Sequence, residues 1–354
     1  MPSDSDAERY RGYVAGTMAT RIPKILATAE EGLPENAAKQ FRAIARAVGA
    51  DAPMLLNLSG WPYPGWEDMP ARVNGKRPSQ APFFDFEYWM YFRMLAALNF
   101  AESNIDPFRP TKHRDLERHI EWAEDAVLRT TDIAEGLRLS LLANAHDLSQ
   151  LSDPTRSYDV GLASLDRDWH EVTRLNVIAD NFGGEFVADL VLAIVAAEAG
   201  REVVLHVKQL PMFVSDVTVD DVTILLDHLN GRTGFGRRLV EALARGRIRF
   251  ASHPFWSAPQ FLDRLPLDEL GTGPGVLNVL KGDLNFRRAI GDAVVAPETP
   301  FEALAVLPAA PMLSLRSIKS YCVAGMGGWP ADLSRTEFPM DGSIVAVQHI
   351  PVRA

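Results

Sequence analysis

The chain's 354 residues, 47% of them hydrophobic and 23% charged, suffice to bury a large core and to form two structural regions. A formal net charge of -10 argues against general attraction to a nucleic-acid backbone or an anionic membrane, though a local basic pocket still suits one small anion. The single cysteine, Cys322, excludes an intrachain disulfide framework and a cysteine-rich zinc site, and fits a reducing, cytoplasmic setting.

The opening MPSDSDAERYRGYVAGT is too polar for a secretory leader. Elsewhere charge, proline and glycine interrupt the apolar runs before they reach membrane-spanning length, so a soluble protein is expected. From about residue 16 to residue 150 the pattern is largely helical. PKILATAEEGLPENAAKQFRAIARAVG mixes apolar positions with charged faces, and SGWPYPGW and VNGKRPSQ break it with loop-forming residues. FDFEYWMYFRMLAALNFAES resumes as a helix, and DLERHIEWAEDAVLRTTDIAEGLRLSLLANAHD continues with one or more. This half, residues 1–150, reads as a helical cap or scaffold.

At Asn176 the pattern changes. LNVIAD reads as a buried strand, followed by the glycine-entered helix NFGGEFVADLVLAIVAAEAG. REVVLHVK, GRIRFASH, PGVLNVLKGD and YCVAGM are further strand candidates, VDDVTILLDHLN is a helix, and GSIVAVQHI is a last strand at an edge. The alternation predicts an α/β fold: a layered α/β/α domain over residues 151–354 with a mainly parallel sheet, preceded by the helical region.

Several of these strands end in polar residues: Asp180-Asn181, Lys208, Ser252-His253 and Lys281-Gly282-Asp283. The carboxyl ends of strands line the ligand crevice of open α/β sheets, so these positions are expected to converge on one pocket. Asp180, Asn181 and Asp216 offer oxygen donors suited to a hard cation such as magnesium or manganese. Each also has an ordinary reading, with Asp180 or Asp216 as a helix cap and Asn181 as a turn former. Gly183 and Gly184 would let helix-entrance amides meet a phosphate, or would simply make a turn. Lys281, Asp283, Asn285, Arg287 and Arg288 form a polar set after a strand, equally readable as a solvated loop. Arg316 and Lys319 lie three apart, which on a helical turn would put both on one side. Glu185 and Asp189 share a helix face, as support for the site or as favourable charges near a helix start. For Cys322 the reading is an inert place in a buried strand.

The segments LNVIADNFGGEFVADLVLA, HVKQLPMFVSD, LNVLKGDLNFRR and LRSIK, in that order, resemble the DUF89 damage-control phosphatase family, in its ARMT1-like branch. The resemblance implies metal binding by Asp180, Asn181 and Asp216. It implies substrate binding by Asp283, Leu284, Asn285, Phe286, Arg287 and Lys319, and it brings Lys281 and Arg316 in as phosphate-neutralising cations. Asp180, Asn181, Asp216 and Lys319 are the expected catalytic set. Ser317 stands where the branch has threonine and Phe286 where the family favours tyrosine, so no contact needing that phenol is made here. Weaker similarity brings forward Thr17, Arg21, Glu87, Arg93, Asn144 and Asp147. The expected activity is metal-dependent hydrolysis of small phosphomonoesters such as fructose 1-phosphate or fructose 6-phosphate. The cofactor would be Mn2+ or Mg2+, with Ni2+ or Co2+ as alternatives, and the partner a small phosphorylated metabolite rather than nucleic acid or membrane. The alternatives are methyl transfer from S-adenosylmethionine to a protein carboxylate, which is the family's older description, and phosphometabolite binding without turnover.

Overall fold

The computed structural model describes residues 4–145, 158–229, 234–266, 268–334, 338 and 340–352. The expected boundary at residue 150 lies outside them. Helices α1 (Asp4–Glu30), α2 (Glu35–Gly49), α3 (Met69–Val73), α4 (Phe83–Ala97) and α5 (Phe100–Ser103) come first. In α2 the apolar residues Phe41, Ile44 and Val48 recur at helical spacing and are buried, while the charged residues face outward. They pack with Trp66, Phe86 and Met90 into one cluster, which Leu210, Met212 and Ala258 of the second half complete.

Two further helices, α6 (Arg109–Arg129) and α7 (Ile133–Ala145), belong to the other half structurally. Their residues Leu116, Ala123, Val127, Leu137 and Leu141 join the core built on the sheet. They are an outer layer of the α/β unit rather than part of a cap, because their apolar stripes face α8 (Gly184–Glu198). That explains why α8 is largely apolar, with Glu185 and Asp189 its only buried charges: the sheet covers one side and α6 and α7 the other, leaving residues 185–197 buried.

Seven strands form the sheet: β1 (Tyr158–Val160), β2 (Arg174–Ile178), β3 (Glu202–Val207), β4 (Ile248–Ser252), β5 (Val276–Lys281), β6 (Met312–Ser317) and β7 (Ile344–Ile350). Their order is β1-β7-β6-β5-β2-β3-β4, with every neighbouring pair parallel except β6 and β7. After β2 come α8, β3, α9 (Val219–Leu229), α10 (Gly234–Ala244) and β4, so the chain first moves outward on one side of β2. It then crosses to β5 on the other side of β2. The carboxyl ends of β2 and β5 therefore flank the topological switch point. The short helix α11 (Asp283–Ala289) leaves β5 there, and with 3₁₀ turns it covers the second face.

The layered α/β fold and helical first half match the sequence reading, with three differences. YCVAGM is irregular, because Met312–Ser317 takes the place beside β5. Arg316 consequently lies in a strand, and RSIK makes no helical turn. GSIVAVQHI is not at an edge: β7 pairs with β6 and is flanked by β1, a strand too short to show in the pattern. Among the described residues no helix is long and apolar enough to cross a membrane.

His206, in β3, sits edge-on to Trp256 with ring centroids 5.5 Å apart and is almost fully buried. Burial first, then Arg249 and Arg174, push its pKa down to about 4. The folded state thus stays unprotonated where the unfolded chain takes up a proton, and stability is lost as pH falls from about 6.5 towards 4. His206→Leu is expected to remove an acid-side loss on the order of 3 kcal/mol. Urea unfolding at pH 7 and pH 4.5 would measure it, and an unchanged pH dependence would rule His206 out as the cause.

Candidate active site

Asp180 and Asn181 follow β2, and the loop after β3 returns to lie against them. Asn181 and Asp216 form an isolated antiparallel bridge, Phe182 N donates to Ser215 O at 2.6 Å, and Val217 N donates to Asp180 O at 3.1 Å. Neither acid caps a helix. Thr218 and Asp221 make a reciprocal cap at the start of α9, with Thr218 N to Asp221 Oδ2 at 2.8 Å and Asp221 N to Thr218 Oγ1 at 3.3 Å. At the α8 entrance, Gly184 N donates to Asp115 Oδ2 at 2.9 Å. That amide serves a carboxylate of the chain itself, not a phosphate.

Asp180, Asn181 and Asp216 open onto a cavity of about 80 Å³. Asp283, Leu284 and Arg287 from the start of α11, together with Lys319 and Ser320 beyond β6, line another part of its wall. Tyr13 and Arg21 from α1, and Glu87 and Tyr91 from α4, complete it with Phe213, Val214 and Ser215. Gly282 makes the approach of β5 to β2 possible. Its φ is +79°, and a side chain there would collide with the Asp180 carboxylate.

The carboxylates have a built-in counter-charge in Lys208, which does not line the cavity. Its ammonium lies 2.5 Å from Asp216 Oδ1 and 3.5 Å from Asp180 Oδ1. Asp216 Oδ2 accepts from Phe213 N at 3.0 Å. Burial raises the Asp180 carboxyl above its usual range, Lys208 opposes this, and Glu185 and Asp216 add to it. A second cation beside Asp180 and Asp216 would relieve that crowding of negative charge. Among the described residues no three His, Cys, Asp or Glu side chains are gathered to hold a metal ion. The donors present are two carboxylates and the Asn181 amide, a set that fits a hard cation with further oxygen ligands better than zinc.

Arg287 is held rigidly. Its Nη1 donates to Glu87 Oε2 and its Nε to Asp292 Oδ1, both at 2.6 Å, while the guanidinium lies 5.4 Å from the Phe83 ring centre. Its buried Nη2 has no hydrogen-bond partner among the described residues. An acceptor brought close to that nitrogen would gain a charge-assisted hydrogen bond. Tyr13 donates to the Lys319 carbonyl at 3.1 Å, and burial pushes its phenol pKa up, keeping it protonated.

Four expected site residues do not face this cavity. Lys281 is wholly buried, with its ammonium 2.8 Å from Asp189 Oδ1, 3.3 Å from Glu185 Oε1 and 2.7 Å from Ser140 Oγ. It ties β5 to α8 and α7. Arg316 lies over Phe286, its guanidinium carbon 3.4 Å from the ring centre, and donates to Asp283 Oδ1 at 2.7 Å, so it orients a cavity residue from behind. Phe286 is the buried platform for it. Asn285 donates to Lys281 O at 2.9 Å and stays inside.

Of the weaker candidates, Arg21 and Glu87 line the cavity. Thr17 is buried elsewhere, and Arg93 is exposed beside Leu55. Asp147 and the Asn144 side chain lie outside the described residues. His253 caps a 3₁₀ turn by accepting from Phe255 N at 3.1 Å. Cys322 is buried as expected, though in no strand, and burial with Asp292 nearby raises its thiol pKa well above the ordinary value. Tyr13, Tyr91 and Ser215 were not anticipated. Only Ser215, next to Asp216, carried a signal in the sequence.

Acids, an amide and cations gathered at the switch point of a mainly parallel sheet place the chain among α/β proteins whose ligand crevice lies beyond the strand carboxyl ends. Residues 17–332 match the damage-control phosphatase ARMT1-like domain. The chain belongs to that family. It is 32% identical over 287 residues to damage-control phosphatase ARMT1 of Macaca fascicularis, covering 70% of this chain and 64% of that one. It is 33% identical over 169 residues to the Mus musculus protein of the same name, covering 44% and 38%. The chain thus spans less than two thirds of the length of these relatives. A DUF89 family protein from Pyrococcus horikoshii aligns at 14% identity and a TM-score of 0.44, over 87% of this chain and 90% of that one.

Proposed function

We propose that the chain is a metal-dependent phosphatase that hydrolyses small phosphomonoesters, with sugar phosphates such as fructose 1-phosphate and fructose 6-phosphate among its substrates. The observation that carries this reading is that Arg287, one of whose buried nitrogens has no partner among the described residues, lines the same cavity as Asp180, Asn181 and Asp216. The relatives' phosphatase names support it. Asp180, Asn181 and Asp216 would hold the divalent cation, Mn2+, Mg2+, Ni2+ or Co2+. Bound there, it supplies Lewis-acid polarisation of a phosphoryl oxygen.

The other residues bind and orient. Arg287 directs Nη2 at a phosphoryl oxygen, and Lys319 adds a second positive charge against the charge that develops at phosphorus. Arg316 keeps Asp283 turned towards the bound group. The cavity is small enough to favour the phosphoryl group alone. The rest of the substrate extends past Arg21, Val214 and Ser215, which also line a cavity of about 230 Å³.

Metal-free protein is expected to release almost no phosphate from a panel of sugar monophosphates, and to recover on addition of Mn2+, Co2+, Ni2+ or Mg2+. Colorimetric phosphate release across a metal-by-substrate grid is the measurement. Binding without release under every metal would make the chain a phosphometabolite-binding protein. Labelled methyl transfer without phosphate release would make it a methyltransferase.

A further inference from the structure

We infer that Glu185, which does not line the phosphate cavity, is the positioning residue that fixes which atom of the Asn181 amide faces the cation; this rests on the metal site proposed above. Glu185 Oε2 accepts from Asn181 Nδ2 at 2.9 Å, closer than the 3.4 Å at which Asp180 Oδ2 accepts from the same nitrogen, while Asn181 Oδ1 accepts from Ser215 Oγ at 2.6 Å. An amide has a donor end and an acceptor end of nearly equal shape. Turned over, Asn181 would set its oxygen against the Glu185 and Asp180 carboxylates and would offer an NH₂ in place of the oxygen that a cation would need. The carboxylate of Glu185 therefore selects the orientation in which oxygen is presented to the metal.

The selector is itself anchored. Glu185 is 4% exposed, and its Oε1 lies 3.3 Å from Lys281 Nζ. That ammonium is held by the Ser140 carbonyl at 2.6 Å and by Asp189. A buried line of charge and hydrogen bonds thus runs from α7 through the end of β5 and the first turn of α8 to the amide. Asp189 lies one helical turn further from Asn181 and contributes to the anchor without touching the amide.

The test uses the double-mutant cycle of Glu185→Gln with Asn181→Asp, with Mn2+ binding to the metal-free protein read by titration calorimetry and by electron paramagnetic resonance. Glutamine at 185 keeps the shape but offers a donor as readily as an acceptor, so both amide orientations become accessible. Glu185→Gln alone should weaken Mn2+ binding about 10–100-fold, the usual effect of removing a partner that orients a metal ligand. In the Asn181→Asp background, whose two oxygens are equivalent, the same change should cost nothing further.

Equal weakening in both backgrounds, or none in the wild type, overturns the inference. Val127→Ala, a core truncation outside this line, serves as the control for a general loss of structure: it should lower the Tm and leave Mn2+ affinity near the wild-type value. Loss of affinity in Val127→Ala equal to that in Glu185→Gln would also overturn it. If wild-type protein binds no Mn2+, the metal-site reading falls, and this inference falls with it.

Discussion

Lys281→Met is expected to cost about 3–5 kcal/mol of folding stability, the range for removing one partner of a buried ion pair. Methionine fills much of the same space but leaves Asp189 and Glu185 buried without their ammonium, and the Ser140 carbonyl without its donor. Burial already holds the Asp189 carboxyl above its usual range against the pull of Lys281. Without that pull, Asp189 must take up a proton or drive the helices apart. Denaturant unfolding at neutral pH measures the cost. A phosphate-binding lysine would behave differently, with stability intact and turnover reduced, and that outcome would return Lys281 to the active site.

Arg287→Lys is expected to lower kcat/KM for a sugar phosphate by about 10²–10³-fold, the loss typical of removing one preorganised donor to a developing anion. The charge survives, but the geometry does not. Arginine serves Asp292 and Glu87 with two nitrogens and keeps a third for the proposed phosphoryl oxygen, whereas an ammonium on a shorter stem cannot serve all three. Steady-state kinetics beside a circular-dichroism spectrum would separate this from misfolding. A folded variant that keeps kcat/KM within about threefold would remove Arg287 from phosphate binding.

Much of the fold was legible because buried parallel strands read as apolar runs, and β2, β3 and β5 announce themselves as LNVI, VVLHV and VLNVL. Their polar carboxyl ends led directly to Asp180, Asn181 and Asp283. Lys281 and Arg316 were misplaced for a geometric reason. Each sits in a strand, where side chains alternate between faces, and nearness in sequence to Asp283 or Lys319 does not say which face a residue takes. Tyr13 and Tyr91 were beyond reach because the packing of α1 and α4 against the second half decides what they line. No local pattern encodes that packing.

The cavity wall runs from Tyr13 in the first helix to Ser320 beyond the sixth strand. Few of its contacts are between neighbours in sequence, as Arg287 with Glu87 and Tyr13 with Lys319 illustrate. The loop-closure entropy of bringing such distant residues together must be met before any of those contacts forms. During folding, helices and local strand pairs can therefore precede the site by a wide margin. The cavity is thus a property of the folded whole, its wall assembled only once residues from Tyr13 to Ser320 have met.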